Sequence, residues 1–418
     1  MKLLNVVWRK LTNTDALRLA SGELEIYFFE FLYRVLYLCG LSISDYSVAY
    51  RIYSTIVKML LILLTCCEVW QFFSITWTID AVIDGLNLLL IQFGAFCKYK
   101  VMIGNKTVFK SLACSMESKN FDLSTIQRKN ILEIWRKSNE ASLKLLLGLG
   151  TCTVIFWQIY PLVDDLEYNL MAFVRLPFNF QTSTRYPPTY MCMMIVFAYM
   201  CYFVMANDLI MQAHLMHLLC QFAILNDCFE NILTDILCNF EGLDINKLYL
   251  NEDFRKEYKK RLGNSVKQHM FVLNNILKFR DLLSAPMLVQ LAVSTTLICS
   301  IGFQVATSVN VNMTKWFTSL LYLGYNMFVL YIICRWCEEV KIQNEKTVEA
   351  VYASSWENGI VKVPGVSTTI FLIMARANKQ TALTAGGMYD LSLESYANVC
   401  TTGFFKWILN ILTLSITI

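Results

Sequence analysis

Charged residues are scarce in this chain. Asp, Glu, Lys and Arg make up 16% of its 418 residues, against 56% hydrophobic. A soluble domain carries roughly 25% charged residues, and a single hydrophobic core stops growing at about 250–300 residues. The apolar excess needs a second solvent, and lipid supplies it. Net charge is small as well, at +4, which argues against a nucleic-acid partner, since that would call for clustered basic faces. No uninterrupted apolar stretch follows Lys2, Arg9 and Lys10, so no cleavable signal peptide is expected. Cysteine, with 15 residues, is the one apparent abundance. Cys66, Cys67, Cys152, Cys220, Cys299 and Cys334 sit in apolar runs or basic loops, a placement that favours free thiols over a disulfide scaffold.

Long apolar runs are what the sequence does have. Seven are near the 20 residues a helix needs to cross the hydrocarbon layer: 52–77, 80–103, 142–161, 188–211, 282–306, 315–337 and 388–413. The last is interrupted by Asp390, Glu394, Asn398 and Lys406. The fold class read from this is all-α, a polytopic membrane protein with seven transmembrane helices. A shorter stretch, 24–38, has apolar residues at helical spacing but contains Glu30 and Arg34. It reads either as an interfacial or re-entrant helix or as an amphipathic helix packed on protein.

Loop charges set the orientation. Lys2, Arg9, Lys10, Arg18 and Arg34 precede the first span, while the next junction has only Asp80 and Asp84. The connection from 98 to 144 is basic again (Lys98, Lys106, Lys119, Arg128, Arg136 and others), as are 212–281 and 338–380. The 162–187 and 307–314 loops are not. This alternation places the N-terminus in the cytosol and the C-terminus outside. Sequons add nothing to it, because Asn312-Met-Thr and Asn105-Lys-Thr fall on opposite sides. The 219–281 loop keeps helical apolar spacing (Leu219, Phe222, Leu225, Phe229; Val266, Met270, Leu273, Leu277), so spans four and five are expected to continue as helices into the cytosol.

Several functional classes lack their signatures. A G-protein-coupled receptor has the reverse orientation, and neither Asp/Glu-Arg-Tyr nor Asn-Pro-x-x-Tyr occurs in the expected spans. A secondary transporter calls for repeated halves and spans broken near the midplane, whereas the six prolines (Pro161, Pro177, Pro187, Pro188, Pro286, Pro364) sit at span ends and in loops. No catalytic cluster points to an enzyme. His214 and His217 share a helical face but have no evident third metal ligand, and Cys334 and Cys337 read as small apolar residues. No metal or cofactor is expected. Gly386-Gly387 reads as a turn. Glu68, an acid inside span one, is a functional candidate by its position in lipid, with a hydrogen bond to a neighbouring helix as the plainer reading.

The C-terminal third is more specific. Span six runs Met327, Phe328, Tyr331, Cys334 and is followed by Glu338-Glu339-Val340. Then come Ala350-x-Tyr352-x-x-x-Trp356, Leu383-Thr384-Ala385-Gly386 and Leu391-Ser392-Leu393. In this order and with this topology, the chain resembles the insect odorant receptor family. The glycine usual just after span six is missing, and Gln380 stands where a proline is common. Gustatory receptors carry Gln-Phe at an offset where this chain has Thr402-Gly403, which favours the odorant branch.

The resemblance implies a ligand-gated, non-selective cation channel, a heterotetramer with the odorant receptor co-receptor, in the plasma membrane of olfactory sensory neurons. This chain lacks the co-receptor's insertion between spans four and five and so looks like the ligand-tuning subunit. The small volatile organic ligand would lie in the outer half of the bundle, at Val82, Leu86, Leu89, Thr153, Trp157, Met193, Phe197, Tyr322 and Tyr325. A ligand burying about 200 Å² gains roughly 5 kcal/mol before association costs, which implies micromolar or weaker sensitivity. Trp407 and Ile411, four apart on span seven, would form an apolar gate with Asn410 as polar neighbour. Lys406 beside a cation path would repel its cargo unless it snorkels to the interface or faces another subunit. The implied layout is 1–49 cytosolic N-terminus; 50–211 spans one to four; 212–281 cytosolic anchor; 282–337 spans five and six; 338–384 cytosolic helix and turn; 385–418 pore-lining span seven. The alternative is a solute transporter of inverted topology.

Overall fold

The computed structural model describes residues 12, 17, 22–42, 47–74, 79–163, 168–238, 240, 249–308, 313–357, 360–379 and 381–402. The main elements are α1 (Glu23–Leu38), α2 (Val48–Ser74), α3 (Ile79–Gly104), α4 (Lys106–Ala113), α5 (Ile126–Val163), α6 (Tyr186–Glu230), α7 (Ile232–Leu237), α8 (Glu252–Ser308), α9 (Met313–Tyr352) and α10 (Val366–Ala377). A two-residue hairpin follows, β1 (Thr384–Ala385) and β2 (Tyr389–Asp390). A helix then begins at 393 and is described to 402. Among the described residues six helices, α2, α3, α5, α6, α8 and α9, are long and apolar enough to cross a membrane. The helix begun at 393 opens the seventh apolar run.

At 1.5 Å per residue, the 45 residues of α6 and the 57 of α8 span about 68 and 86 Å. Both far exceed a hydrocarbon layer of about 30 Å, as expected for spans four and five. The 38 residues of α5 and 40 of α9 also exceed it, an extension that their charged ends did not announce. Pro286 lies inside α8 rather than at a helix end. It removes one backbone donor, and in the same turn the Ser284 carbonyl accepts a hydrogen bond from the Gly386 N–H at 2.8 Å.

The centre of the bundle is α6, apolar on every side, as a helix surrounded by other helices must be. Every residue from Phe203 to Phe222 is buried. It packs on α9, α5, α8, α3, α2 and α1. Gln221 is tied down on both atoms, its Nε2 donating to Ser115 Oγ at 2.7 Å and its Oε1 accepting from Asn275 Nδ2 at 3.0 Å. His214 and His217 belong to this core. Phe28, Phe29 and Phe109 pack on their rings, and His214 Nδ1 lies 2.8 Å from the Ile210 carbonyl. Among the described residues no three His, Cys, Asp or Glu side chains are grouped to hold a metal. α1 presses Phe28, Phe29, Leu32, Val35 and Leu36 into the protein, with Arg34 and Glu30 paired at 2.7 Å on its flank.

The C-terminal motifs form one junction. Gly386 and Gly387 adopt φ of +62° and +69°, the left-handed region where a Cβ is disfavoured, and together they turn β1 into β2. A Cβ at Gly386 would also stand 2.7 Å from Leu288 Cδ2, so glycine is what lets the hairpin lie on α8. Glu338 Oε2 accepts from the Leu393 N–H at 2.9 Å, so α9 supplies a carboxylate at the positive start of the last helix. Tyr331 of α9 packs edge-on to Tyr396, with ring centroids 5.6 Å apart.

Candidate ligand cavity and vestibule

Side chains of α3, α5, α6 and α9 enclose a cavity of about 60 Å³, several times the roughly 10–15 Å³ that one water needs. α3 contributes Leu88, Ile91 and Gln92, and α5 contributes Gly150, Thr153, Val154 and Trp157. Phe197, Met200, Cys201, Val204 and Met205 come from α6, and Tyr322 and Tyr325 from α9. The helical repeat explains the selection on α5. Positions 150, 153, 154 and 157 are i, i+3, i+4 and i+7, one face of the helix. Trp157 stacks on Phe197, with ring centroids 5.3 Å apart and planes inclined by 16°, and lies 5.1 Å from the Tyr322 ring. Gly150 permits a close approach. A Cβ there would lie 3.1 Å from Tyr325 Cε2 and 2.1 Å from Met205 Sδ, so the missing side chain is what lets both press against α5.

A second cavity of about 410 Å³ adjoins the first and shares Leu88, Trp157 and Tyr322 with it. It is more polar. Asp84 pairs with Lys315 at 3.0 Å and also accepts from Gln304, while Asn87 Nδ2 donates to Gln304 Oε1 at 3.3 Å. The 168–181 segment covers it with Tyr168, Asn169, Phe173 and Phe180. Arg175 fastens this segment to α2, donating its N–H to the Cys67 carbonyl at 3.3 Å and lying over the Trp70 ring. Leu88, Trp157 and Tyr322 thus form a septum between an apolar inner chamber and a polar vestibule.

Of the residues expected at the ligand, Thr153, Trp157, Phe197, Tyr322 and Tyr325 line the inner cavity. Met193 is buried elsewhere, and Val82, Leu86 and Leu89 are half-buried off the cavity wall. α3 turns Leu88, Ile91 and Gln92 inward instead. The polar residues of this helix, Asp84, Asn87, Gln92 and Lys98, fall at helical spacing on the same face as Leu88 and Ile91 and opposite Val82, Leu86 and Leu89, and that stripe is the signal that marks the inward side. Cys201 and Met205 were likewise missed, although both continue the 3–4 spacing from Phe197. Trp407, Asn410 and Ile411 lie outside the described residues. Glu68 is buried, and neither carboxylate oxygen has a hydrogen-bond partner among the described residues, one helix away from the cavity.

The family model for the seven-transmembrane odorant receptors matches residues 78–404. Odorant receptor 13a of Drosophila melanogaster is 22% identical over 275 residues, covering 62% of this chain and 63% of that protein. Odorant receptor 83a of the same species is 24% identical over 153 residues, 36% of this chain and 33% of that protein. The matched segments therefore span less than two thirds of either relative. The structure of the insect olfactory receptor OR5 from Machilis hrabei, in complex with eugenol, superposes with a TM-score of 0.75. It covers 94% of this chain and 100% of that one at 16% identity, and a second structure of that receptor gives 0.74.

Proposed function

The chain belongs to the insect odorant receptor family, and from that membership we propose that it is the odorant-binding subunit of a ligand-gated, non-selective cation channel. The observation that carries the reading is the inner cavity, walled by Trp157, Phe197, Tyr322 and Tyr325. Walls of this kind hold small volatile molecules through dispersion and burial. Family membership does not favour the inverted transporter. In this reading the chain assembles with the odorant receptor co-receptor as a heterotetramer in the plasma membrane of olfactory sensory neurons. Residues 212–281 form the cytosolic anchor between subunits. Span seven lines the pore, where Trp407 and Ile411 close it by dewetting beside Asn410.

α9 offers the link between ligand and pore. It carries Tyr322 and Tyr325 in the cavity wall and Glu338 at the start of the last helix. From Tyr325 to Glu338 the helix is continuous and rises about 20 Å. A ligand that displaces α9 therefore acts on span seven through one rigid element.

Current recordings with the co-receptor and a panel of volatiles test the whole. Odorant-evoked current reversing near zero is expected, and ligand-dependent uptake without such current would discard the channel. Tyr325→Ala should shift odorant sensitivity by about tenfold, the effect of a lost aromatic contact, with currents to a co-receptor agonist intact. Glu338→Gln weakens the charge at the helix start, so it should lower the maximal odorant current several-fold while half-maximal concentrations stay near native. An unchanged maximum would remove Glu338 from the route.

A further inference from the structure

Two hydroxyl groups in the inner cavity have nothing to bond. Tyr322 and Tyr325 are each 8% exposed, and neither hydroxyl has a hydrogen-bond partner among the described residues. Of the neighbouring polar groups, two are already committed. The Asn326 amide donates to the Tyr322 backbone carbonyl at 2.8 Å, and Asp208, in the small adjoining cavity that Tyr325 also lines, is paired with Lys98. Gln92, on the opposite wall, receives Thr65 Oγ1 on its Oε1 at 3.0 Å, while its Nε2 is a third buried polar atom with no partner among the described residues. The remaining wall is almost wholly aliphatic, aromatic or thioether.

A buried hydroxyl without a partner is costly, because it has given up water and received nothing in return. The two rings are three residues apart on α9 and so share a face. Trp157, itself stacked on Phe197, packs on the ring of Tyr322, and the bare backbone of Gly150 receives that of Tyr325. Both hydroxyls are thereby fixed at the wall of one small chamber. We propose that the ligand of this cavity is a small, mainly apolar molecule bearing one hydrogen-bonding oxygen (a carbonyl, ether, ester or hydroxyl), which the Tyr322 and Tyr325 hydroxyls take up. The proposal deepens the odorant-binding reading and rests on it. A pure hydrocarbon of the same shape fills the same space but leaves both hydroxyls orphaned. A site built to hydrogen-bond an oxygen discriminates against the analogue lacking it more strongly than an apolar wall discriminates against a missing methylene.

The test compares matched pairs on the unmodified protein co-expressed with the co-receptor: acetophenone against ethylbenzene, and 2-heptanone against heptane. Dose–response currents are scaled to free aqueous concentration. The oxygenated member is expected to be more potent by about tenfold, the factor that one net hydrogen bond supplies. Tyr322→Phe and Tyr325→Phe keep the rings and remove the hydroxyls. One or both should collapse that ratio towards unity, and hydrocarbon responses at or above native level would show that the variants fold. Equal potency within the native pairs overturns the proposal while leaving odorant binding intact, and so does a ratio that survives both phenylalanine variants. If no member of either class evokes current or binds, although co-receptor agonists do evoke current, the odorant-binding reading itself fails.

Discussion

Arg128→Met is expected to destabilise the protein by about 3–5 kcal/mol, the typical result of removing one partner from a buried ionic cluster. Arg128 is fully buried near the start of α5, and its guanidinium serves three carboxylates on three other segments. Asp122 in the preceding loop lies at 2.6 Å, Asp227 of α6 at 3.0 Å, and Asp235 of α7 is also bonded to it. Arg261 of α8 joins from the other side, 2.6 Å from Asp235 and 3.6 Å from Asp122. The cluster therefore bolts four helices together beyond the spans. Without Arg128, Asp235 keeps Arg261, but Asp227 is left, among the described residues, with Asn231. Arg128→Lys keeps the charge and loses the planar fork, so it should fall between native and methionine. Melting of detergent-solubilised protein, followed by size-exclusion chromatography, measures both. A methionine variant within 1 kcal/mol of native, as roughly expected for exposed pairs, would show that the cluster is not structural.

The same cluster has a pH dependence of fixed sign. Burial works against the Asp122 carboxylate, but hydrogen bonds from Ser124 and the Arg128 and Arg261 guanidiniums outweigh it and hold its pKa below the ordinary value. A depressed folded pKa contributes stability that is fully present above the unfolded carboxylate range, about 3.9 for Asp. That stability is lost as pH falls through the folded value. Melting temperature should accordingly drop on the acid side of about pH 4, and less so in the Arg128→Met protein.

Lys98→Met is expected to be comparably damaging, and for a reason specific to lipid. Lys98 of α3 and Asp208 of α6 are both buried and bonded to each other. Removing the ammonium strands a carboxylate among helices whose outer surface faces hydrocarbon, a position where unpaired charge is expensive. About 3–5 kcal/mol and loss of surface protein should follow. The double variant Lys98→Met/Asp208→Leu removes both charges and should recover to within about 1 kcal/mol of native or exceed it, because well-packed apolar pairs often match buried ion pairs. Surface biotinylation and thermal melting read the cycle. A double variant no better than Lys98→Met would mean that the pair does more than neutralise itself.

Both ionic sites show where sequence reasoning reached its limit. Lys98 and Arg128 entered that reading as loop charges, evidence only of which side faces the cytosol. In the fold they are buried, with partners 110 and 99 residues away. The remaining cations of the same connection, among them Lys106, Lys119 and Arg136, still carry the orientation. α3 teaches the same lesson. Val82, Leu86 and Leu89 are apolar and stand where the family resemblance puts the ligand, yet Leu88, Ile91 and Gln92 face inward, on the side that the polar stripe Asp84, Asn87, Gln92 and Lys98 marks. On α9, Tyr322 and Tyr325, which the family resemblance puts at the ligand, share one face and both line the inner cavity.

The sequence by itself determined the number and places of the apolar runs, their alternation across the membrane and, through the ordered motifs from Met327 to Leu393, the family. These follow from hydropathy, loop charge and local order, quantities summed along the chain. Tertiary structure alone decided that Trp157, Phe197, Tyr322 and Tyr325 close one chamber, that Glu338 meets the first turn of the last helix, and that Lys98 and Arg128 are buried bolts. Each of those depends on how helices rotate and pack against one another. In a protein surrounded by lipid, apolar residues are at home both inside and outside, so that choice is written only in sparse polar positions such as Asn87, Gln92 and Lys98 of α3.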